Sequence, residues 1–203
     1  MVGWTPREMA QVALFAALTA AGAFIKVPVP FVPFTLQYLF VAMAGIALGS
    51  RLGLASQLVY IGIGLIGLPV FAEGGGPGYV LKPTFGYLIG FALGAWLIGR
   101  LTERLEKASI LPLFGATMAG LAVIYGIGAL YLYGIMNMVL AKSITLWNTL
   151  LYGILLPLPG DILLSGAAAY IGVKLWSLRG VSGNASTGKA LFAKEGVEEE
   201  QRA

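Results

Sequence analysis

From Ala108 to Ala141 the sequence runs for 34 residues without a charged side chain. At about 1.5 Å per residue this is more than one straight helix needs to cross a hydrocarbon core roughly 30 Å thick. Met9 to Ile25, Val27 to Ser50 and Leu52 to Ala72 are also free of charge, and Val80 to Gly99 holds only Lys82. A chain so patterned has a bilayer as its solvent. Composition agrees: 58% of the 203 residues are hydrophobic and 11% charged, against about 25% charged in soluble domains. There is no Cys and no His, which excludes disulfides, thiolate chemistry, His-ligated metals and Ser-His or Cys-His catalysis. The net charge of +4 fits basic membrane loops and gives no reason to expect nucleic acid as a partner.

The pattern predicts an all-α, polytopic membrane protein with six transmembrane helices. The first span covers Met9 to Ile25. The second begins near Phe34, after Pro28, Pro30 and Pro33, and ends at Gly49. The third is Leu52 to Ala72, ending at Leu68-Pro69. The fourth is Val80 to Gly99, with Lys82 and Pro83 at its mouth. The fifth runs from about Leu111 to Gly134. Ser143 to Leu156 reads as a re-entrant or surface helix stopped by Pro157-Leu158-Pro159-Gly160, and Asp161 to Trp176 is the sixth span. Residues 1–178 form one membrane domain. Residues 179–203 form a polar, disordered cytoplasmic tail ending Glu198-Glu199-Glu200. No stretch reads as a cleavable signal peptide.

Six spans put both termini on one side. That side collects Arg7, Arg51, Arg100, Arg104, Lys107, Lys174, Arg179, Lys189, Lys194 and Arg202, and the other holds Lys26, Lys82 and Lys142. Ten basic residues against three place the termini in the cytoplasm. Trp4, Trp96, Trp147 and Trp176 lie near span ends, where amphipathic rings favour the interface.

Unusual polar residues concentrate on the outer side, which suggests a pocket opening outward. Asp161 follows Pro159-Gly160 at the head of a span; it either caps that helix or accepts hydrogen bonds from a ligand N–H. Gln37 and Thr35, after Phe34, offer donors and acceptors, with interhelical bonding as the plainer role. Lys82 either pairs with an anionic ligand group or snorkels to the interface. Tyr87 and Asn137 complete the candidate binding set, with Phe31, Phe34, Tyr38, Phe71 and Tyr79 as apolar wall. Glu73 lies in the Gly-rich loop through Tyr79, which is built to move and to act as a lid. Ala13, Ala17 and Ala21, spaced by four, form a small-residue face on the first helix, suited to internal packing or to docking a second membrane subunit.

Gly183 to Lys189 resembles a phosphate-binding loop, but Ala190 stands where Ser or Thr would hold magnesium and no strand precedes it. It is not read as a nucleotide site. The Asn184-Ala185-Ser186 sequon falls in the cytoplasmic tail and so is not expected to be glycosylated.

The proline-rich stretch Ile25 to Gln37 ending Thr35-Leu36-Gln37, then Gly45 to Gly53, Gly67-Leu68-Pro69-Val70-Phe71, Lys82-Pro83-Thr84-Phe85-Gly86-Tyr87 and Pro159-Gly160-Asp161, occur in an order that resembles the BioY family, the biotin-binding S components of energy-coupling factor (ECF) transporters. The resemblance covers roughly residues 10 to 175. It implies a six-helix subunit in the cell membrane that captures biotin from outside. It also implies a coupling membrane protein and a pair of ABC-type ATPases as partners, with ATP used by those partners and no cofactor or metal bound by this chain. On this resemblance Asp161 contacts the ureido ring, and the Ala13, Ala17, Ala21 face meets the coupling protein. Many relatives carry Lys three residues after the aspartate, where this chain has Leu164. The rival readings are an S component for a different vitamin and a stand-alone secondary transporter. An intramembrane enzyme would need paired acid–base groups at membrane depth, and Asp161 is the acid at a span.

Overall fold

The computed structural model describes residues 4–176. It is mostly helical, with one short ribbon of two two-residue strands. Helix α1 spans Pro6–Phe24 and starts with a reciprocal cap: Thr5 Oγ1 accepts from the Glu8 amide, and the Glu8 carboxylate accepts from the Thr5 amide, with Pro6 in the first turn. Strand β1, Lys26–Val27, pairs antiparallel with β2, Phe34–Thr35, so that the prolines between them form a tight excursion. Helix α2 spans Gln37–Leu65, a short helical turn covers Pro77–Leu81, α3 spans Phe85–Thr102, and α4 spans Ile110–Gly134 and runs on through a wider π turn, Ile135–Val139. Helix α5, Leu146–Leu150, passes through a second π turn, Leu151–Leu155, and leads into α6 at 158–176.

Helix α2 is two helices. Gly49 has φ 82° and ψ −177°, a conformation open to glycine alone. A side-chain carbon on Gly53 would lie 3.3 Å from the Ala44 carbonyl oxygen. Nine residues of continuous helix would hold these positions about 13 Å apart. The chain therefore reverses at Gly49, and limbs 37–48 and 50–65 pack against each other through Gly45 and Gly53. Glycines also bring α3 onto α4, where Gly90 and Gly94 face Ile124 and Gly120. Where lipid tails are as apolar as the helices, such close approach gives the packing that holds helices together.

The reversal has a second fastening. The Glu103 carboxylate, just past α3, accepts from the Ser50 amide at 2.7 Å and from the Ser50 hydroxyl, capping the second limb from a neighbouring helix. Gly99 touches the same turn. One end of the bundle thus gathers the Gly49 turn and the segment after α3. The opposite end gathers the other loops: Lys26 donates to the Ala72 carbonyl at 2.5 Å, Tyr131 donates to the Val80 carbonyl, and Phe31 packs on Tyr152.

Four helical runs are long and apolar enough to cross a membrane: Gln37–Leu65, Phe85–Thr102, Ile110–Val139 and Leu146–Trp176. The last corrects the sequence reading at its C-terminal end. Pro157 and Pro159 do not close off a separate re-entrant helix; α5, the π turn and α6 form one run. A local widening tolerates the missing proline donors, as the Leu156 amide reaches back five residues to Leu151. The tail at 179–203, with its loop-like Gly183 to Lys189 and its sequon, lies outside the described residues.

Gly49→Ala should lower the thermal stability of the detergent-purified protein by about 1–3 kcal/mol, because the new methyl would meet the Glu103 carboxylate at 2.5 Å as well as the unfavourable φ. An unfolding scan that leaves Gly49→Ala level with the parent would contradict the hairpin.

Candidate ligand-binding site

At the loop end a cavity opens between the β1–β2 excursion, the start of α2, the Gly-rich loop, α3, α4 and the head of α6. Its walls include Phe34, Tyr38, Tyr79, Leu88, Phe91 and Ile124. Space for water centres amounts to about 60 Å³, which is room for a few waters. Aromatic and aliphatic walls with few polar groups suit a small, mostly apolar ligand with a polar head.

Each polar side chain is held by a traceable local cause. Gln37 opens the first limb of α2 and is 3% exposed; its amide nitrogen donates to Tyr60 at 2.7 Å and its oxygen accepts from Thr35. Tyr60 in turn donates to the Val70 carbonyl. Tyr38 donates to the Thr117 carbonyl at 2.9 Å and shares a bond with Ser165 at 2.7 Å, tying α2, α4 and α6 together. Thr84 donates to Tyr79, whose ring packs against Phe71 at a tilt of 50° with centroids 4.5 Å apart. Burial pushes the Tyr79 phenol above its ordinary value, so it is a neutral hydroxyl at physiological pH.

Tyr87 shows how the helix break and the cavity are joined. Pro157 has no N–H for the carbonyl four residues earlier, Gly153, and the Tyr87 hydroxyl donates there instead at 2.9 Å. The ring fits because Gly128 leaves room: a methyl there would lie 2.3 Å from it. Gly160 likewise serves a close approach, since the Phe34 ring lies 2.5 Å from where its side-chain carbon would stand.

Asp161 lies one turn inside α6 and does not cap it. Its own amide donates to the Pro157 carbonyl at 3.1 Å. Its carboxyl, 6% exposed, accepts from the Tyr125 hydroxyl at 2.5 Å and faces the cavity.

Five of the sequence-predicted binding residues therefore meet at one cavity: Phe34, Thr35, Gln37, Tyr87 and Asp161. Lys82 and Asn137 do not line it. Lys82 pairs with Glu73 at 3.5 Å in a second, open groove with Phe31 and Lys142. Asn137 clamps the chain after α4, donating to the Tyr133 and Ile144 carbonyls and accepting from the Ile144 amide. Phe71 stands behind Tyr79, and Phe31 faces the outer groove. Ala13, Ala17 and Ala21 all lie on the exposed face of α1, while Val12, Phe15, Ala16 and Thr19 are buried. The sequence reading missed Tyr125. Its one signal was a phenol in the middle of an uncharged run, where a hydroxyl must find a partner inside the protein.

The cavity and the groove share a wall one residue thick. Phe31, Glu73, Gly78 and Pro83 face the groove, and their successors or predecessors Val32, Ala72, Tyr79 and Thr84 face the cavity.

Against known proteins, the model of the BioY family matches residues 1–180. The chain belongs to the BioY family. A protein described as a probable biotin transporter BioY from Lysinibacillus sphaericus is 48% identical over 171 residues, covering 84% of this chain and 87% of the relative. A biotin transporter BioY from Thermotoga maritima is 41% identical over 127 residues, covering 62% of this chain and 74% of the relative. The fold is similar, with a TM-score of 0.75 at 24% identity over 86% of this chain and 95% of the other, to a crystal structure described as the S-component for biotin from an ECF-type ABC transporter.

Tyr87→Phe should leave the Gly153 carbonyl without a donor, at a cost of about 1–3 kcal/mol. Hydrogen exchange should then quicken across residues 151–157; unchanged protection there would separate Tyr87 from the proline break.

Proposed function

We propose that this BioY-family chain is the substrate-capture subunit of a biotin uptake system in the cell membrane, taking biotin from outside. The observation that carries the reading is the cavity at the loop end, where one carboxyl, Asp161, faces a mostly aromatic and aliphatic enclosure. The names of the relatives support the ligand. A cyclic urea has N–H groups for Asp161 and a carbonyl for the second amide hydrogen of Gln37, whose first goes to Tyr60 and whose oxygen is held by Thr35, and Phe34 and Tyr87 line the space for the apolar part. The ligand's carboxylate emerges past the shared wall, where Lys82 stands beside Thr84.

In this reading α1, the two limbs of α2, α3, α4 and the run Leu146–Trp176 serve as six spans with both termini in the cytoplasm. The basic residues support this orientation. Arg51, Arg100 and Arg104 lie at the Gly49 end, and Lys26 and Lys82 lie at the loop end. The first limb, residues 37–48, is about 18 Å long, so the β1–β2 excursion and the cavity occupy the outer part of the membrane layer beside it.

Movement inward is driven by partners: a coupling membrane protein that meets the exposed Ala13, Ala17, Ala21 face, and a pair of ABC-type ATPases that hydrolyse ATP. The present space admits a few waters, so a bicyclic ligand enters when the loop from Glu73 to Tyr79 swings away, releasing the Lys26–Ala72 and Glu73–Lys82 contacts.

Calorimetric titration of biotin into the purified chain tests the reading. One-to-one binding is expected, with Asp161→Asn weaker by about 10- to 100-fold while the protein stays folded. Absence of binding to folded parent protein would refute it. The chain has no Cys, so Lys26→Cys with Ala72→Cys provides a unique thiol pair. A short cleavable cross-link between them should block biotin entry, and cleavage should restore it. Uptake through the intact cross-link would remove the lid.

A further inference from the structure

The hydroxyls of Tyr38 and Tyr87 donate to backbone carbonyls, and Thr35, Gln37 and Tyr60 form a chain that ends on the Val70 carbonyl. Those groups hold helices and loops together. Asp161 differs. Tyr125 donates to its Oδ2 at 2.5 Å, and Oδ1 has no hydrogen-bond partner among the described residues.

A carboxyl free to turn about its last side-chain bond offers its acceptors over a wide arc. With Oδ2 tethered to a phenol on another helix, Oδ1 points one way. The phenol is itself well fixed: Tyr125 is 7% exposed, sits one residue after Ile124 in the cavity wall, and its helix packs closely on α3 through Gly90 and Gly94. Its proton is committed to Asp161, so its oxygen keeps a lone pair for other donors. Tyr125 and Asp161 together show the cavity acceptors and no donor.

We infer that Tyr125 is a positioning residue that sets ligand choice: by tethering Oδ2 it aims Oδ1 of Asp161 at a ligand N–H and makes the site select for a donor there. This rests on the reading of Asp161 as the acceptor for the ligand's ureido group. A ligand with a methyl or an acceptor in place of that N–H meets a fixed, unpaired carboxyl oxygen and is rejected. Once the tether is lost, Asp161 can rotate and the rejection weakens.

The test uses the full chain in detergent. Biotin and an analogue methylated on its ureido nitrogens are titrated calorimetrically into the parent, Tyr125→Phe, Asp161→Asn and the double variant. Tyr125→Phe should weaken biotin binding about tenfold and weaken the methylated analogue less, so that the preference for biotin shrinks. The double variant should bind biotin no worse than Asp161→Asn alone, because the phenol acts through the carboxyl. A purely structural Tyr125 would weaken both ligands alike and add its loss to that of Asp161→Asn; either result overturns the inference, as does unchanged biotin binding in Tyr125→Phe. If Asp161→Asn itself binds biotin as the parent does, the reading of Asp161 falls and this inference with it. Should Tyr125→Phe not fold, Asp161→Glu provides the second test. The longer side chain keeps the acid but cannot keep both oxygens in place, so full retention of the preference for biotin would overturn the inference.

Discussion

A polar group buried in a chain surrounded by hydrocarbon has no water to turn to, so its partner must come from the protein. That requirement organises this bundle more than any single apolar contact. Tyr38 joins three helices because its hydroxyl needs a carbonyl and finds one on α4, with Ser165 on α6 alongside. Tyr87 reaches α5 and its π turn because a proline has left a carbonyl open. Glu103 bonds to Ser50 because a helix that begins after a glycine reversal has free amides and no side chain of its own to cap them. Among the described residues, the oxygen of Gln57 is the one polar side-chain atom fully sealed from solvent without a partner; the untethered oxygen of Asp161 belongs to a cavity residue.

The same requirement separates what holds the bundle together from what is free to hold a ligand. Hydroxyls and amides around the cavity point at each other or at backbone, and their rings form its smooth walls. The acid on α6 has one oxygen tied and one free. An apolar cavity with a single fixed acceptor combines the two properties that capture of a scarce small molecule needs: most of the ligand surface is removed from water, and one direction is specified.

Much of this architecture was readable from residue order. Charges mark where helices end, and Gly49 ends the second one although the next limb follows without a loop. The segment holding Phe34, Thr35 and Gln37 lies far in sequence from Tyr87 and from Asp161, yet each of the five stands out as a polar or aromatic residue at the mouth of an apolar run, and all five reach the cavity. The failures have physical reasons. Pro157 and Pro159 read as a stop, but the missing bonds are made good by a π turn and by a tyrosine 66 residues away, which no local rule anticipates. Of the two roles the sequence allows Asp161, capping requires a helix that begins there, and α6 begins at 158. Lys82 reads as a binding residue because an anionic ligand group needs a cation; the chain turns at 82–85, where the Phe85 amide donates to the Lys82 carbonyl, and leaves Lys82 on the groove and Thr84 on the cavity. Tyr125 was hidden by the uniformity of its surroundings.

That wall has a further consequence. At 31 and 32, 72 and 73, 78 and 79, and 83 and 84, one residue of each pair faces the cavity and the other the groove. The inner residue is constrained by the shape of the enclosure. Its neighbour lines an open groove, where side chains of many shapes fit. Among descendants of this sequence, tolerance to change along the rim should therefore alternate between neighbours at these steps, and the groove face can be remade without reshaping the cavity.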